Sequence, residues 1–423
     1  MLDIKFIREN LDIIKAGAEK KHITLDFDAL IVLDDKRRAL LQSVEGKKAE
    51  QNRVSSAVAG ALSSEARAQL ITEMRMLKEE MQIEEEELKA TIREWQLLMV
   101  QVPNIPDMSV PEGDDDMGNV EVRVWGEVPH FDFVPKGHIE LMLAHKMADF
   151  ERGTKVAGFR GYFLTGMGAR LNFAIWNFVS DFITTRDQRF VPLLVPSLLR
   201  KEPFIGTGYL PQSEEDLYKT QDADYLAGTA EVGAMGFYMD EVLDKKELPY
   251  KFLCFSPCFR REAGSHGKDT KGLMRVHEFY KFEQVVLCEA RHDESVKFHE
   301  ELTANAEAML QALGIPHHVV VNCGGDLGLG QVKKYDIEAW VPSEGRYRET
   351  HSSSYFHDFQ TRRLNIRYRD EDGTMRFAHS LNNTAAATPR LLIPVIENNQ
   401  RADGSIVIPE VLRPYMGGIS EIV

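Results

Sequence analysis

The sequence predicts an α+β protein in which an N-terminal antiparallel helical hairpin precedes a domain with an antiparallel sheet flanked by helices. Two proline-free runs with helical spacing of apolar residues, 27–58 and 65–99, predict the hairpin. Beyond about residue 130, short apolar strands alternate with helices, and consecutive strands often lack a helix between them. That pattern favours an antiparallel sheet over a doubly wound parallel one.

The bounds of the hairpin follow from breaks in its pattern. Gly60 and the pair Ser63-Ser64 separate the two helices, and Pro103 and Pro106 end the second. Narrow apolar stripes between strongly charged flanks favour a hairpin over the alternative, two ordinary core helices of a bundle. A shorter amphipathic helix is expected within residues 1–25.

The chain is long enough for two domains, because 423 residues is well above the usual length of one. Prolines, a glycine and the acidic triplet 114–116 mark residues 103–130 as a linker. We therefore expect an N-terminal domain at 1–110, with its hairpin at about 27–100, and a second domain at 111–423.

Apolar runs in the second domain predict its individual elements. A helix is expected at 171–186, and strands are expected at 190–196, 251–255, 282–287, 318–321, 336–341 and 364–368. Pro192 and Pro196 place the first of these strands at a sheet edge or a special interface.

Composition excludes several classes of protein. A chain with 43% hydrophobic and 28% charged residues and a mean hydropathy of −0.30 is neither disordered, collagen-like nor membrane-embedded. The most apolar run, 190–199, is too short to span a bilayer. The cysteines, Cys254, Cys258, Cys288 and Cys323, form no C-x-x-C pair and are expected to be reduced. We therefore expect a cytoplasmic protein with no membrane segment.

The formal net charge of −15 argues against a general nucleic-acid binder, whose usual footprint is a basic excess. The charge is unevenly distributed, however. The first hairpin helix carries the basic residues Lys36, Arg37, Arg38, Lys47, Lys48 and Arg53. The second helix carries the acidic run 84–87, which we interpret as a solvated face. Any nucleic acid is therefore expected on the first helix.

The densest cluster of reactive and charged residues lies at 258–283. Arg260 and Glu262 end one predicted strand, a loop rich in glycine, serine and lysine occupies 264–272, and Arg275 and Phe279 open the next strand. Arginine offers a rigid fork to phosphate oxygens, and phenylalanine offers a stacking surface for a planar ring. The combination suggests a nucleotide site. The alternative is a surface ladder of salt bridges.

A second segment, 382–393, runs through small residues into Pro389 and Arg390 and then into an apolar helix. Proline suits the first turn of a helix, so Arg390 is expected on that turn, where the helix dipole favours anions. The alternative is a well-capped helix with a solvated arginine.

These segments resemble class II aminoacyl-tRNA synthetases. Three motifs of that class are matched in order: motif 1 by the helix at 171–186 and the strand ending at Pro196, motif 2 by Phe259-Arg260-x-Glu262 with Arg275, and motif 3 by Thr388-Pro389-Arg390. Within the class, the chain is most similar to the seryl-tRNA synthetase family. The stretches that carry this resemblance are 1–10, 101–106, 131–133, 206–211, 214–219, 228–232 and 358–363.

The resemblance implies a serine–tRNA ligase. Such an enzyme converts L-serine and ATP to seryl-adenylate and transfers serine to the 3′ end of tRNA(Ser) and, by family analogy, of tRNA(Sec). A homodimer is also implied, with the hairpin binding tRNA through Arg37, Arg38 and Lys48. Two alternatives are an activating paralogue that loads a carrier protein, whose relatives usually lack the long arm, and a non-catalytic tRNA-binding regulatory paralogue.

The same resemblance implies the contacts to ATP. Arg260 is expected to bind the α-phosphate and the serine carboxylate, Glu262 the adenine end, and Arg275 the γ-phosphate. Phe279 and Arg390 are expected to cover the two faces of adenine, and Arg390 also to reach the γ-phosphate. A fixed guanidinium is suited to the negative charge that develops when the α-phosphorus is attacked.

The expected serine contacts follow from the family in the same way. Thr229 and Glu231 are expected to contact the ammonium group, and Glu283 to read the side-chain hydroxyl. Asn382 and Thr384 are expected nearby. A small pocket with buried polar groups rejects alanine because its own groups would be left unpaired, whereas threonine must be excluded by size.

The resemblance also implies that Glu349 and Ser352 bind Mg²⁺ and phosphate oxygens, and a carboxylate with a hydroxyl suits that hard cation. The sequence departs from the family pattern at 233–235, 350–351 and 355–357. Since two of these departures flank the expected Mg²⁺ ligands, they bear on the geometry around the tRNA acceptor end.

Overall fold

The computed structural model describes residues 1–60, 63–264, 267 and 269–423. Residues 265, 266 and 268 of the loop expected at 264–272 lie outside the described residues. The chain divides into two compact units. A helical unit comprises Asp3–Glu19 and Ile23–Pro103, and a sheet unit comprises Met1–Leu2, Lys20–His22 and Asn104–Val423.

The helical unit is built from four helices: α1 (Ile4–Glu9), α2 (Leu11–Lys20), α3 (Phe27–Gly60) and α4 (Ser64–Met99). The long helices α3 and α4 pack along each other, which confirms the predicted hairpin. Their apolar stripes form its seam, since Leu30, Val44, Val54 and Leu88 are all buried. The single short helix expected before the hairpin is instead the pair α1 and α2.

Charges on the flanks of the hairpin are paired between the two helices. Three lysines of α3 contact carboxylates of α4: Lys36 with Glu87 at 2.8 Å, Lys47 with Glu84 at 3.2 Å, and Lys48 with Glu85 at 2.8 Å. The run 84–87 is accessible to water, as expected, but it is more than a simple solvated face. The run lies along the basic residues of the first helix, and periodicity within one helix cannot reveal which residues of another helix it meets.

The sheet unit contains the remaining regular elements. Its helices are α5 (His138–Ala144), α6 (Phe150–Ala157), α7 (Gly166–Arg186), α8 (Lys201–Thr207), α9 (Ala230–Gly236), α10 (His292–Ala312), α11 (Phe359–Arg363) and α12 (Leu392–Asn398). Its strands are β1 (Val120–Trp125), β2 (Ala148–Asp149), β3 (Phe163–Leu164), β4 (Phe190–Leu194), β5 (Leu198–Leu199), β6 (Tyr225–Leu226), β7 (Val242–Leu243), β8 (Tyr250–Phe259), β9 (Glu278–Cys288), β10 (His317–Val321), β11 (Lys333–Val341), β12 (Arg346–His357), β13 (Arg367–Arg369), β14 (Met375–Phe377), β15 (His379–Thr388), β16 (Ile406–Val407) and β17 (Glu421–Ile422).

The main sheet has eight strands in the order β1-β10-β11-β12-β15-β9-β8-β4. Neighbours are antiparallel except for the edge strand β4, which runs parallel to β8. This architecture confirms the predicted fold class. It also confirms that the proline-containing strand near residue 190 lies at an edge, where a residue without an N–H costs no interior hydrogen bond.

The middle of the sheet is buried on both faces. On β9, Val286 packs in one core with residues of α7 and α10, while Val285 and Leu287 pack in a second core with residues of α9. Successive side chains of a strand point to opposite faces, so one strand supplies both cores. In the part of the chain that the structure describes, no helix combines the length and apolarity needed to cross a bilayer.

Three sequence-based expectations about elements were wrong. Residues 103–130 contain β1, an edge strand whose valines are exposed, so it joins the sheet through its backbone and leaves little hydrophobic signal. The run 364–368 begins with a turn just after α11 ends at Arg363, and its strand begins only at Arg367. Strands β12 and β15 were not foreseen, because buried serines, asparagines and alanines replace the usual β-branched residues.

Candidate active site

A cavity of about 280 Å³ opens on the sheet unit, above strands β9, β12 and β15. It is lined by every residue expected from the sequence to contact ATP, serine or Mg²⁺ except Thr229. These residues are Arg260, Glu262, Arg275, Phe279, Glu349, Ser352 and Arg390, together with Glu231, Glu283, Asn382 and Thr384. Residues more than 150 positions apart in the chain are thus brought to one concave surface.

Strand β9 supplies one wall through simple alternation. Phe279, Lys281 and Glu283 are two residues apart, so their side chains share one face of the sheet, and all three line the cavity. Strand β8 pairs antiparallel with β9, with Cys258 opposite Phe279. The chain leaving β8 therefore carries Arg260 over the Phe279 ring, with its guanidinium carbon 5.2 Å from the ring centroid.

Strand β12 supplies another wall through an irregularity. Ile337 of β11 pairs with His351 and Glu338 pairs with Glu349, which leaves Thr350 as an extra residue. This bulge reverses the alternation, so Glu349 and Ser352 both line the cavity although three positions separate them. A similar shift on β15 lies between Thr384 and Ala386.

The three arginines expected to bind phosphates gather at one end of the cavity. The Nε atom of Arg260 donates to the carbonyl oxygen of Gly228 at 3.1 Å, and that of Arg390 donates to the carbonyl oxygen of Met274 at 3.0 Å. Arg275 donates to Oε2 of Glu262 at 2.6 Å. Because backbone or carboxylate acceptors hold each fork in place, the cations are ordered before any ligand arrives.

The position of Arg390 differs from the expectation. Strand β15 continues through Thr388, and α12 begins only at Leu392, so Arg390 lies in the intervening turn rather than on the first helical turn. Its guanidinium is held by Glu349, whose carbonyl oxygen accepts from Nη1 at 3.2 Å and whose Oε1 lies 3.7 Å away. Burial opposes ionisation of Glu349, but Arg390 and Lys334 outweigh it and keep the pKa of that carboxyl below its usual value.

A second part of the cavity holds two buried carboxylates, Glu231 and Glu283. Burial, followed by the nearby charge of Glu283, raises the pKa of Glu231. Both Glu231 oxygens are occupied, since Gln360 Nε2 donates to Oε1 at 2.6 Å and the Tyr209 hydroxyl donates to Oε2 at 3.1 Å. Glu283 forms an ion pair with Lys281. This end is therefore acidic, small and rigid.

Thr229 lies directly behind these carboxylates. Its hydroxyl donates to Glu283 Oε2 at 3.1 Å and accepts from the backbone N–H of Glu231 at 3.3 Å, capping α9. Thr229 therefore connects the two carboxylates without lining the cavity itself.

Three residues of the site were given no role from the sequence alone: Tyr209, Lys281 and Gln360. Tyr209 and Gln360 lie in stretches that carried the family resemblance, and Lys281 lies on the same face of β9 as Phe279 and Glu283. For Tyr209 and Gln360, the available signal was that each is a polar residue within a stretch that resembles the family. Tyr209 and Gln360 make long-range contacts to Glu231 that no local pattern reveals, whereas Lys281 pairs with Glu283 two positions along the same strand.

The residues expected to bind RNA belong to the helical unit. Arg37 donates to Asp34 at 2.6 Å and lies 4.7 Å above the Trp95 ring, and Lys48 pairs with Glu85. Arg38 is exposed and, in the described part of the chain, no carboxylate lies within 4.0 Å of it.

Comparisons with known proteins agree with this geometry. The model of the seryl-tRNA synthetase N-terminal domain matches residues 1–106, and the model of the tRNA synthetase class II core domain (G, H, P, S and T) matches residues 216–399. A serine–tRNA ligase of Deinococcus radiodurans is 47% identical over 99% of this chain and 98% of its own. The chain belongs to the seryl-tRNA synthetase family. The family and the ligase class predicted from the sequence are thereby confirmed.

Other members of the seryl-tRNA synthetase family match over their full lengths. A serine–tRNA ligase of Thermodesulfovibrio yellowstonii is 44% identical over 99% of both chains. The crystal structure of the Pyrococcus horikoshii seryl-tRNA synthetase complexed with ATP superposes with a TM-score of 0.91 at 36% identity, covering 100% of this chain and 99% of the other. The cytoplasmic serine–tRNA ligase of Naegleria fowleri in complex with AMP gives a TM-score of 0.86 at 35% identity, covering 100% and 98%.

Proposed function

We propose that the chain activates L-serine with ATP to give seryl-adenylate and pyrophosphate, and then transfers serine to the 3′ end of tRNA(Ser). The observation that carries this proposal is the cavity, in which three ordered arginines face two buried carboxylates. The cationic end suits a polyphosphate, and the acidic end suits an ammonium group. The solved relatives bound to ATP and to AMP support the choice of nucleotide.

In the first step, a carboxylate oxygen of serine attacks the α-phosphorus of ATP, and the bond to the bridging oxygen of pyrophosphate breaks. No general base is needed, because the serine carboxylate is already ionised at neutral pH. Charge grows on the oxygens of the α-phosphoryl group, and Arg260 is positioned to stabilise it. Arg275 and Arg390 take the leaving pyrophosphate, while Glu262 and Phe279 hold adenine.

Recognition of serine is assigned to the acidic end. We propose that Glu231 binds the ammonium group, supported by Thr229, and that Glu283 accepts the side-chain hydroxyl. Asn382 hydrogen-bonds Glu231, and Thr384 pairs opposite Glu283 across the sheet. Alanine would deprive Glu283 of the hydrogen bond from the substrate hydroxyl in a buried site, which costs more than the loss of one exposed hydrogen bond.

Glu349 and Ser352 fit the expected Mg²⁺ site, because the β12 bulge turns a carboxylate and a hydroxyl to the cavity side by side. Among the described residues, no group of three His, Cys, Asp or Glu side chains could hold a metal ion by itself. Mg²⁺ commonly takes one or two protein ligands and completes its shell with phosphates and water. Bound here, it would neutralise charge on the ATP phosphates.

We assign tRNA binding to the N-terminal domain, residues 1–110, and both chemical steps to residues 111–423. In the second step, a hydroxyl of the terminal ribose attacks the acyl carbon of seryl-adenylate, and AMP leaves. Of the three residues proposed to bind tRNA, Arg38 is the best placed for a phosphate contact, since it is exposed and no carboxylate of the described chain lies within 4.0 Å of it. To contact a phosphate, Arg37 must give up its ion pair with Asp34, and Lys48 must give up its ion pair with Glu85. We extend the proposal to tRNA(Sec) as a second acceptor.

A homodimer is proposed from the sheet edge at β4. Leu194 of this strand is 81% exposed, and Phe173 on the adjacent helix α7 is 55% exposed. An exposed apolar edge of this kind is typical of a surface that binds another subunit. Strand β4 and helix α7 are also the elements that resemble motif 1. Sedimentation should give a dimer, and the double variant Phe173→Glu with Leu194→Glu should give a monomer.

We also propose a cytoplasmic location, because all four thiols are free and buried.

Serine-dependent exchange of pyrophosphate into ATP, followed by charging of bulk tRNA, tests the function. Exchange and charging together are expected. Charging of tRNA(Sec) is measured in a separate reaction with that tRNA alone. Exchange without charging would favour a carrier-protein enzyme, and the absence of exchange would favour a regulatory paralogue. Intact Arg260, Glu349 and Arg390 in one cavity support the catalytic choice.

A further inference from the structure

A buried lysine outside the proposed catalytic set holds part of the cavity wall. Lys21 is only 4% exposed, and its ammonium donates to three backbone carbonyl oxygens: those of Gly328 at 3.1 Å, Leu329 at 3.0 Å and Gln331 at 2.5 Å. The segment 328–331, which we term the wall loop, lines the cavity with all four of its residues. Burial lowers the pKa of Lys21 to about 7. Burying an ammonium group costs free energy, so the hydrogen bonds of Lys21 to the wall loop call for a functional explanation.

A second residue binds the same loop. The backbone N–H of Asn104 donates to the carbonyl oxygen of Leu329 at 2.9 Å, and its side-chain amide donates to those of Gly330 at 3.0 Å and Phe356 at 2.7 Å. Asn104 is itself buried. Lys21 and Asn104 together engage every carbonyl of the wall loop.

These two residues occupy special places in the chain. Lys21 lies in the short segment Lys20–His22, which belongs to the sheet unit although the chain on both sides of it belongs to the helical unit. Asn104 is the first residue of the sheet unit after the helical unit ends at Pro103. Two separate parts of the sheet unit, one at Lys21 and one at Asn104, therefore bind the same loop of the cavity wall.

The wall loop reaches the serine end of the cavity along two routes. Gln331 donates to the Ser354 hydroxyl at 2.8 Å, and Ser354 pairs across the sheet with Asn382. Gly330 packs so closely against Phe359 that a Cβ atom there would lie 2.6 Å from its ring. The next residue, Gln360, is the one that holds Glu231.

We propose that Lys21 and Asn104 are positioning residues that set the serine-binding end of the cavity through the wall loop. This inference rests on the proposed function, since it takes Glu231 and Asn382 as serine contacts. Neither residue touches the substrate. The expected consequence is a specific change in serine affinity, because both routes from the wall loop lead to Asn382 and Glu231. The three cavity arginines are instead held by Gly228, Glu262 and Met274.

The test is Lys21→Met in the full-length chain, with Lys20→Met as its matched control. The Lys20 ammonium donates to the carbonyl oxygen of Val110 at 2.6 Å and pairs with Glu112, away from the wall loop. Lys21→Met should raise the KM for serine in the exchange reaction about 10-fold, with kcat and the KM for ATP within about twofold of wild type. Lys20→Met should leave all three unchanged, and Lys21→Arg, which keeps the donors, should recover part of the loss.

Two further measurements keep the inference falsifiable. Asn104→Leu should raise the serine KM in the same way, and the double variant should show less than the sum of the two effects, because both act on one loop. Hydrogen exchange of the amides at 328–332 should be faster in Lys21→Met than in wild type. Unchanged serine KM in both single variants, or an equally protected loop, would overturn the inference. An inactive wild type would overturn the proposed function instead, and the hydrogen-exchange comparison would still decide the role of Lys21.

Discussion

The cations of the cavity and those of the hairpin are the same residue types in two opposite settings. In the cavity, Arg260, Arg275 and Arg390 are half-buried, and each is oriented by a fixed backbone or carboxylate acceptor. On the hairpin, Lys48 is more than half exposed, and its Glu85 partner is also accessible to water. Charge interactions are strong in the enclosed, low-dielectric setting and weak at the surface.

This difference teaches that the number of charges predicts neither binding nor stability. A net charge of −15 argued against nucleic acid, yet both proposed ligands are polyanions. What matters is whether a cation is ordered and desolvated, as in the cavity, or available for exchange with phosphate, as on the hairpin. The variants below test that contrast, beginning with the largest expected effect.

Arg260→Ala should reduce serine-dependent exchange by at least about 10³-fold, because it removes the cation that we propose stabilises the developing charge on the α-phosphate. Arg260→Lys should not restore activity, since a lysine cannot reproduce the planar fork. The neighbouring Arg261→Ala is the matched control, because Arg261 is exposed and donates to the carbonyl oxygen of Glu215. Equal losses in both variants would contradict the assignment.

Glu231→Gln should raise the KM for serine about 100-fold while stabilising the fold. Since burial raises the pKa of Glu231, the native state binds a proton more tightly than the unfolded chain does. Stability therefore falls as pH rises from the ordinary pKa of a glutamate through the raised native value, and the glutamine variant should lack that fall. Thermal unfolding from pH 4 to pH 8 measures this. Parallel curves for the two proteins would refute the prediction.

Neutralising Arg37, Arg38 and Lys48 together should raise the KM for tRNA about 10-fold and reduce its salt dependence, with exchange unaffected. The matched control removes three exposed cations from the other helix, Lys78, Lys89 and Arg93, and should change charging little. An equal effect of both triple variants would mean that RNA does not distinguish the two helices. Equal loss of charging and exchange would mean that the triple variant damages the fold.

Glu85→Gln should have the smallest effect. The ion pair with Lys48 is exposed, so the unfolding midpoint should change by at most about 2 °C. Charging at limiting tRNA should improve slightly, because Lys48 no longer has to give up its ion pair with Glu85 before it contacts a phosphate. A drop of the midpoint by about 10 °C would show that the surface pairs of the hairpin are cooperative.

The bounds of the hairpin could be predicted almost to the residue from the sequence, because 3.6-residue periodicity is a local property and Gly60 and Pro103 interrupt it locally. The sequence also identified eleven of the thirty described residues that line the cavity, because the motifs around Arg260 and Arg390 are contiguous in the chain. It located strands wherever apolar residues dominate, as in β8, β9 and β11.

The tertiary structure decided what depends on partners far away in the chain. The Thr350 bulge, set by pairing with β11, is what turns Glu349 and Ser352 to one face. The ion pairs between the acidic run of α4 and the lysines of α3 form only when the two helices pack together. The hydrogen bonds of Lys21 likewise depend on the position of the wall loop, which lies 307 to 310 residues away in the chain. Register and long-range pairing are chosen by the whole packed chain, so local spacing cannot encode them.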